Sequence, residues 1–598
     1  MFGGPGNWFG KFLRANEAAP HIAAPALSST LFRGLDEAEI DLVCRRMRRR
    51  KYDAEHVLCR QGEPGDRLYV VEIGLVEALI DSEDGPRVVS RIRQGEVAGE
   101  MALLTGEPRA ASLVTVVPTV TLEANLDDFS QIIARHPLVL LNITRMLVAR
   151  HKHDTGRYLA HRDAKDVAAM IVSRGYERLI EPVIAAARAA TPRDVRVINL
   201  TDARPDGDLI AVESATSALT TVDDLAASGT IVLIVAFSDH PDLRSIVRYV
   251  DRIVFLGDEC DGHALSASFE ATRCPVDLFP IAGRGGVCPT MSSNVRVVRT
   301  LGPEESGVDI AWIGRHLART KIGMALGAGG AKGFAHVGAI EVLQDAGYTV
   351  DYVSGSSIGA IVATLLALGL TAKEIDRELR HVWSPENVEL LANLSPEGFS
   401  LGLKGVLRAL EPRVDNRSVS ELSPPLTIMT ADLESRQAFP LRDWPVRQAL
   451  RAALSIPGLA PPYQHGPQRL VDGICLVPVP ALAVREMGAD IVVSIDLLAR
   501  EALATWPSSL PDRPASPKKG GGNLSPVVET LMMLQSDTSA RNAALGDIVL
   551  APQFAPSSWR DFHLADFFRD AGRLAMRARL PELGRLANPT AATPTSAQ

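Results

Sequence analysis

Residues 321–370 place two strand-turn-helix units in succession, each turning on glycine, and few folds accept that arrangement. The second unit reads Tyr352-Val353-Ser354-Gly355-Ser356-Ser357-Ile358-Gly359-Ala360-Ile361: an extended segment, a Gly-x-Ser-x-Gly, then an apolar helical run. A serine on so sharp a turn takes a strained backbone, and Gly355 and Gly359 leave room for strand and helix to pack closely. The pattern exposes the Ser357 hydroxyl at a helix N-terminus and makes it the candidate nucleophile. The first unit carries Gly327-Ala328-Gly329-Gly330-Ala331-Lys332-Gly333 between the apolar segment 322–326 and a helical run at 334–346. Bare backbone N–H groups on such a turn suit an oxyanion.

In a chain with 47 glycines a lone Gly-x-Ser-x-Gly says little. Its strand and helix context is what gives it weight. The first turn also admits a dinucleotide reading, since Gly327-x-Gly329 follows a strand. Against this, Lys332 stands where the third glycine belongs and the nucleophile turn comes next. A phosphate-binding P-loop is excluded because the Gly-Lys-Ser/Thr ending is absent.

Together these residues resemble the patatin-like phospholipase family, whose pattern is a glycine-rich turn ending in a basic residue and Gly, then Gly-x-Ser-x-Gly, then Asp-Gly. The third piece is Asp472-Gly473, and the stretch 451–462, with Ser455-Ile456-Pro457-Gly458, looks like the block before the family's aspartate. Two positions depart from the pattern: Ala328, in place of the first of three glycines, and Ile474 after Asp-Gly. The likeness covers 320–580.

A chain of 598 residues has room for several domains of about 150 residues, and 46% hydrophobic with 22% charged residues is ordinary for globular proteins. The net charge of −8 argues against bulk nucleic-acid binding, which calls for a basic excess. Cysteines at 44, 59, 260, 274, 288 and 475 fall in no metal-ligand spacing, so no metal is expected and the thiols read as reduced. Residues 1–29 lack the order of a secretory signal and read as a flexible terminus. Outside the helix after Ser357, which burial in the catalytic core explains, no run is long and apolar enough to be read as a membrane span. The expectation is a cytoplasmic protein with peripheral, transient contact at a membrane surface.

From residue 30 to 150 a short helical pattern gives way to closely spaced strand-like runs at 55–60, 68–73, 75–80, 88–92 and 112–122, the spacing of a small β-barrel or roll. The segments 61–74 and 99–112, the latter with Gly99-Glu100-Met101-Ala102-Leu103-Leu104 and Pro108-Arg109-Ala110-Ala111-Ser112, resemble the cyclic nucleotide-binding domain. The resemblance implies that Arg109 meets the cyclic phosphate with paired N–H bonds, that Glu100 accepts from the ribose hydroxyl, and that Gly99 and Ala110 frame the site. Ala110, where cGMP-preferring members tend to place a hydroxyl, points to cAMP as an allosteric ligand. An exit helix follows from 129 to about 160. Nothing after it reads as a DNA-recognition helix.

Residues 161–318 alternate apolar runs at 195–200, 231–237 and 252–256 with helical patterns at 164–188, 219–227 and 243–250. This predicts a parallel α/β layer, here a degenerate spacer without a site. The order of nucleotide-binding domain, spacer and patatin-like domain resembles the neuropathy target esterase branch. Within 320–580, strands alternate with helices, a polar linker follows 382, and 505–526 reads as a flexible loop; 581–598 is a tail. The expected architecture is multidomain α/β, with a β-roll, an α/β spacer and a mostly parallel patatin-like sheet bearing a nucleophile elbow.

The resemblance implies a Ser357–Asp472 dyad that hydrolyses phospholipid or lysophospholipid acyl esters, needs no catalytic cofactor, and answers to a cyclic nucleotide. Gly329, Gly330 and Ile358 would hold the oxyanion, supported by Gly327, Lys332 and Gly333. Lys332 would anchor its turn or meet the lipid phosphate. An ordinary aspartate is a weak base, so the site must desolvate Asp472. Chain order also permits a Ser357, Asp472, His563 triad. Alternatives at the level of function are a regulatory scaffold with a weak patatin fold and a soluble short-chain esterase.

Overall fold

The computed structural model describes residues 30–32, 35, 37–81, 87–93, 96–136, 138–140, 142, 143, 166–201, 209–211, 222, 225, 230–257, 276–280, 295–302, 307–392, 396–414, 416–499, 525–554 and 557–589. The expected N-terminus 1–29, most of the loop 505–526, the distal exit helix, most of the helical pattern at 219–227 and residues 590–598 lie outside them. The chain divides into two units, one holding 1–181 and 193–306, the other 182–192 and 307–598.

In the first unit, two four-stranded antiparallel sheets make the roll. One runs in the order Arg48–Tyr52, Thr119–Asn125, Arg67–Ile73, Val97–Ala98; the other Val57–Cys59, Ser112–Thr115, Leu75–Ile80, Arg87–Arg93. The run expected as one strand over 112–122 is two, because the chain changes sheets through 116–118, where Pro118 has no ladder N–H to give. Arg48–Tyr52 is an exposed edge strand that its Arg-Arg-Arg-Lys sequence concealed.

The same unit holds a seven-stranded, wholly parallel sheet in the order Leu209–Ala211, Val195–Asn199, Ile231–Phe237, Asp166–Val172, Arg252–Leu256, Val276–Phe279, Val295–Val297. Leu75 and Val117 of the roll join its core. The helix expected from 164 corrects to a central strand at Asp166–Val172 followed by a helix at Ile180–Ala190. Every residue of that strand is buried, so no apolar-polar alternation marked it.

The second unit is built on a mostly parallel sheet. Val350–Ser356, Ile322–Leu326, Ile491–Ile495 and Ile548–Leu550 run parallel beside Leu426–Asp432, and Gln437–Leu441, Gln468–Asp472 and Tyr463–His465 complete it antiparallel. The expected polar linker after 382 is two helices, Pro385–Ala392 and Pro396–Val414, whose Leu403, Val406 and Leu410 enter the core. The helix Gly307–Ala318 belongs to this unit, and so does Pro182–Pro192. A Cβ on Gly314 would lie 2.6 Å from that of Ala186, and Asn588 donates to the carbonyls of Ala190 and Thr191 at 3.0 and 2.8 Å. The span 161–318 is thus shared between the units.

Candidate active site

Ser357 ends the strand Val350–Ser356 and caps the helix Ile358–Ala367 with φ 56° and ψ −126°. An L-residue with a Cβ avoids this region, so the surrounding packing must hold it there. That packing is close. A Cβ on Gly355 would sit 2.1 Å from the carbonyl oxygen of Gly359, which is why the two glycines flank the serine. The hydroxyl therefore stands at the carboxyl end of a parallel strand, on the first turn of a helix.

Sheet register carries Asp472 to the same place. Ser356 pairs with Met429, and the next residue of that strand, Thr430, pairs with Asp472. The Asp472 side chain is wholly buried, and one oxygen accepts the Ile474 N–H at 2.8 Å. Burial pushes its pKa up to about 7, with the Ile474 N–H and the Ser357 hydroxyl pulling the other way. The second oxygen has no partner that meets full hydrogen-bond geometry, so the Ser357 contact is a loose one. His563 is exposed on a short helical turn, and among the described residues no histidine acts on Asp472.

The glycine turn leaves two N–H groups free. Gly327 donates to Ile495, Ala328 to Pro478, Ala331 to Trp559 and Lys332 to Gly329, at 3.1, 2.9, 2.7 and 3.3 Å. Gly329 and Gly330 find no backbone acceptor among the described residues. Gly330 has φ 59°, and a Cβ there would meet the Trp559 carbonyl at 2.4 Å. Ile358 opens its helix, so its N–H has no intrahelical acceptor either.

These groups open onto a pocket of about 800 Å³ measured out to its mouth. Ser357, Gly330 and Ile358 line it together with the apolar side chains of Trp383, Val388, Leu403, Val406, Leu454, Ile456, Ile474, Leu531, Met532 and Phe562. Lys332 does not line it: its ammonium lies 5.0 Å from the Phe554 ring and its charge acts on buried Asp496.

In the first unit, Glu100 is buried at the start of the helix Glu100–Thr105, and Gly99 precedes it with φ 80°. Arg109 is buried nearby. Its Nη1 donates to Gly99 O at 3.0 Å and its Nη2 to Arg67 O at 2.8 Å, while its Nε is buried without an acceptor. Ala110 beside it is exposed.

The family model for patatin-like phospholipase matches residues 324–485, and that for the cyclic nucleotide-binding domain matches 49–136. The chain joins a patatin-like phospholipase domain to a cyclic nucleotide-binding domain. It is 25% identical to an uncharacterized NTE family protein of Mycobacterium tuberculosis, over 92% of this chain and 95% of that one. It is 22% identical to patatin-like phospholipase domain-containing protein 7 of Rattus norvegicus, over 75% of this chain and 38% of the relative. Among solved structures, Thermus thermophilus catabolite activator protein matches at 29% identity, covering 27% of this chain and 68% of that one, TM-score 0.21. The patatin-like domain makes the chain a serine hydrolase of the phospholipase type.

Both departures from the patatin pattern keep main-chain bonds in place. Ala328 is buried and spends its N–H on Pro478, away from the free donors. Ile474 keeps the N–H that holds Asp472 and adds its side chain to the apolar wall. Sequence reasoning missed His336, Trp383, Leu531, Met532 and Arg560. Only His336 carried a signal, a lone imidazole in the apolar run 334–340.

Proposed function

We propose that the patatin-like domain hydrolyses acyl esters of phospholipids or lysophospholipids through Ser357 and Asp472, under control of a cyclic nucleotide. The observation that carries this reading is the wholly buried Asp472 beside Ser357, its pKa raised by burial to about 7. A carboxylate with that proton affinity serves as a general base near neutral pH, which an aspartate in water does not. Ser357 Oγ attacks the ester carbonyl and its proton passes to Asp472. The tetrahedral oxyanion takes the N–H groups of Gly329, Gly330 and Ile358. Its collapse breaks the ester C–O bond, and Asp472 returns the proton to the departing alcohol. Water then adds to the acyl-serine, again giving its proton to Asp472; this second intermediate breaks its bond to Ser357 Oγ, Asp472 returns the proton to that oxygen, and the fatty acid leaves.

The apolar wall favours a long acyl chain over the short esters of the alternative reading. It continues to the surface: Leu531 and Met532 line the pocket, and the next two residues, Met533 and Leu534, are 66% and 64% exposed. Exposed apolar residues so placed suit transient contact with a lipid surface. Among the described residues no helix is long and apolar enough to cross a membrane, and no cluster of side chains suits a metal. In the nucleotide-binding domain, the unsatisfied Nε of Arg109 is a donor that a cyclic phosphate oxygen would take, and Ala110 favours cAMP.

The test is fluorophosphonate labelling with hydrolysis of a lysophospholipid, with and without cAMP. Labelling and turnover are expected in the wild type and absent in Ser357→Ala. A wild type that neither labels nor hydrolyses would make the chain a scaffold.

A further inference from the structure

Arg560 is the one charged side chain among the described residues that line the pocket. It lies in a turn fixed from several directions. The carbonyl of Trp559 accepts the Ala331 N–H at 2.7 Å, so Arg560 follows directly on a residue bonded to the oxyanion turn. Asp561 is buried and accepts the Ser558 N–H at 2.7 Å, and the Phe562 N–H donates to the Arg560 carbonyl at 2.8 Å. The Phe562 ring stacks on Trp383, centroids 4.5 Å apart. The half-buried guanidinium flanks the Trp559 ring at 5.8 Å, and among the described residues no carboxylate pairs with it.

A cation carried on a braced turn, unpaired among the described residues, at an otherwise apolar ester-binding pocket suits an anion on the substrate. In a glycerophospholipid, the phosphodiester stands one glycerol backbone away from the scissile ester. Arg560 and Ser357 line the same pocket, and Arg560 follows directly on the residue whose carbonyl holds the Ala331 N–H, so the phosphodiester and the scissile ester of one substrate would share that pocket. The planar guanidinium offers paired N–H groups that match two phosphate oxygens, and the dry wall beside it strengthens such a bond. Resting on the esterase reading above, we infer that Arg560 binds the substrate phosphodiester and gives the site a preference for phosphate-bearing over neutral acyl esters.

The experiment compares 1-palmitoyl lysophosphatidylcholine with 1-monopalmitoylglycerol in the same detergent micelles, for full-length wild type, R560Q and R560K. The wild type is expected to favour the lysophospholipid. The ratio of the two kcat/KM values should fall at least about tenfold in R560Q, chiefly through KM, since the contact exists before and during reaction. R560K, a point charge without the fork, should recover part of it. Glycerophosphocholine should inhibit the wild type more than R560Q. A wild type without preference, or variants that keep the wild-type ratio, would overturn the assignment. Inorganic phosphate inhibiting as well as glycerophosphocholine would do so too, by making this a free-anion site. A wild type that labels with fluorophosphonate yet hydrolyses neither lipid overturns the lipid reading itself, and Arg560 falls with it.

Discussion

His336 donates its Nε2–H to the carbonyl oxygen of Gly327 at 2.8 Å, from wholly within the core of the patatin-like domain. A carbonyl only accepts, so the imidazole holds its hydrogen on Nε2. Burial holds its pKa down to about 4, against the pull of the Gly327 carbonyl. The first residue of the oxyanion turn is therefore fixed by a neutral side chain from the helix Phe334–Asp345 behind it.

Replacing His336 by Phe leaves the Gly327 carbonyl without this donor and should destabilise the protein by about 1–3 kcal/mol. It should also lower kcat, because Gly329 and Gly330 lose their reference point. The penalty depends on pH. The unfolded chain takes up a proton near 6.5 that the folded one resists to about 4, so wild-type stability from this group falls as pH drops through that window. The difference between wild type and His336→Phe should therefore shrink from pH 7 to pH 4, as denaturant midpoints would report.

Asp472 acts in the opposite sense. Folded, it keeps a proton up to about pH 7 that the unfolded chain releases near 3.8, so its contribution to stability is lost as pH rises through that interval. Asp472→Asn should melt above wild type at pH 8, by about 2–4 °C for each kcal/mol relieved, and close to it at pH 4. The same change should lower kcat/KM at least roughly a thousandfold, whereas His563→Ala should keep most activity. A folded His563→Ala protein with comparable loss would restore the triad.

The pH profile follows from the same carboxyl. As the base it works only when ionised, so kcat/KM should rise with pH and level off above an apparent pKa near 7. A profile flat from pH 5 to 9 on a non-ionising ester would remove Asp472 from the role of base.

Met533 and Leu534 provide a check on lipid contact. Changing both to Ser should lower the ratio of activity on micellar lysophospholipid to activity on a monomeric short-chain ester by several-fold. An unchanged ratio would place the contact elsewhere.

For the nucleotide, titration calorimetry should detect cAMP binding to the wild type, and Arg109→Ala should lose it. Arg109 also bonds the Gly99 and Arg67 carbonyls, so the variant should melt lower even without ligand. Glu100→Gln is the milder probe, expected to weaken binding with less thermal loss. If the domains are coupled, cAMP should shift the affinity for an unreactive substrate analogue, typically by about 1–3 kcal/mol, and the analogue should shift that for cAMP equally.

What could be read in the sequence was whatever is local. The elbow and the glycine turn each need only neighbours in the chain, so Ser357, Gly329 and Gly330 stood out by spacing. Asp472 was found through the Asp-Gly pattern, yet its burial depends on pairing with Thr430. The walls were hidden. The helices Pro385–Ala392 and Pro396–Val414 mix leucine with proline, glycine and serine, and their apolar face appears only when packed. Asp166–Val172 gave no alternation because both its faces are covered. Arg560 had no signal at all, since its meaning comes from a main-chain bond between Trp559 and Ala331.

The crossing of the chain between its units has a practical side. Residues 182–192 leave the first unit for the second, and 193–306 return before the chain departs for good at 307. A fragment started at 307 would therefore bare the alanine-sized seat at Gly314 and strand Asn588 without the carbonyls of Ala190 and Thr191. A cut at 307 does not release the whole second unit, whereas one before 182 keeps it together. Recombination between related genes anywhere from 193 to 306 would pair residues 182–192 of one parent with a catalytic body from the other.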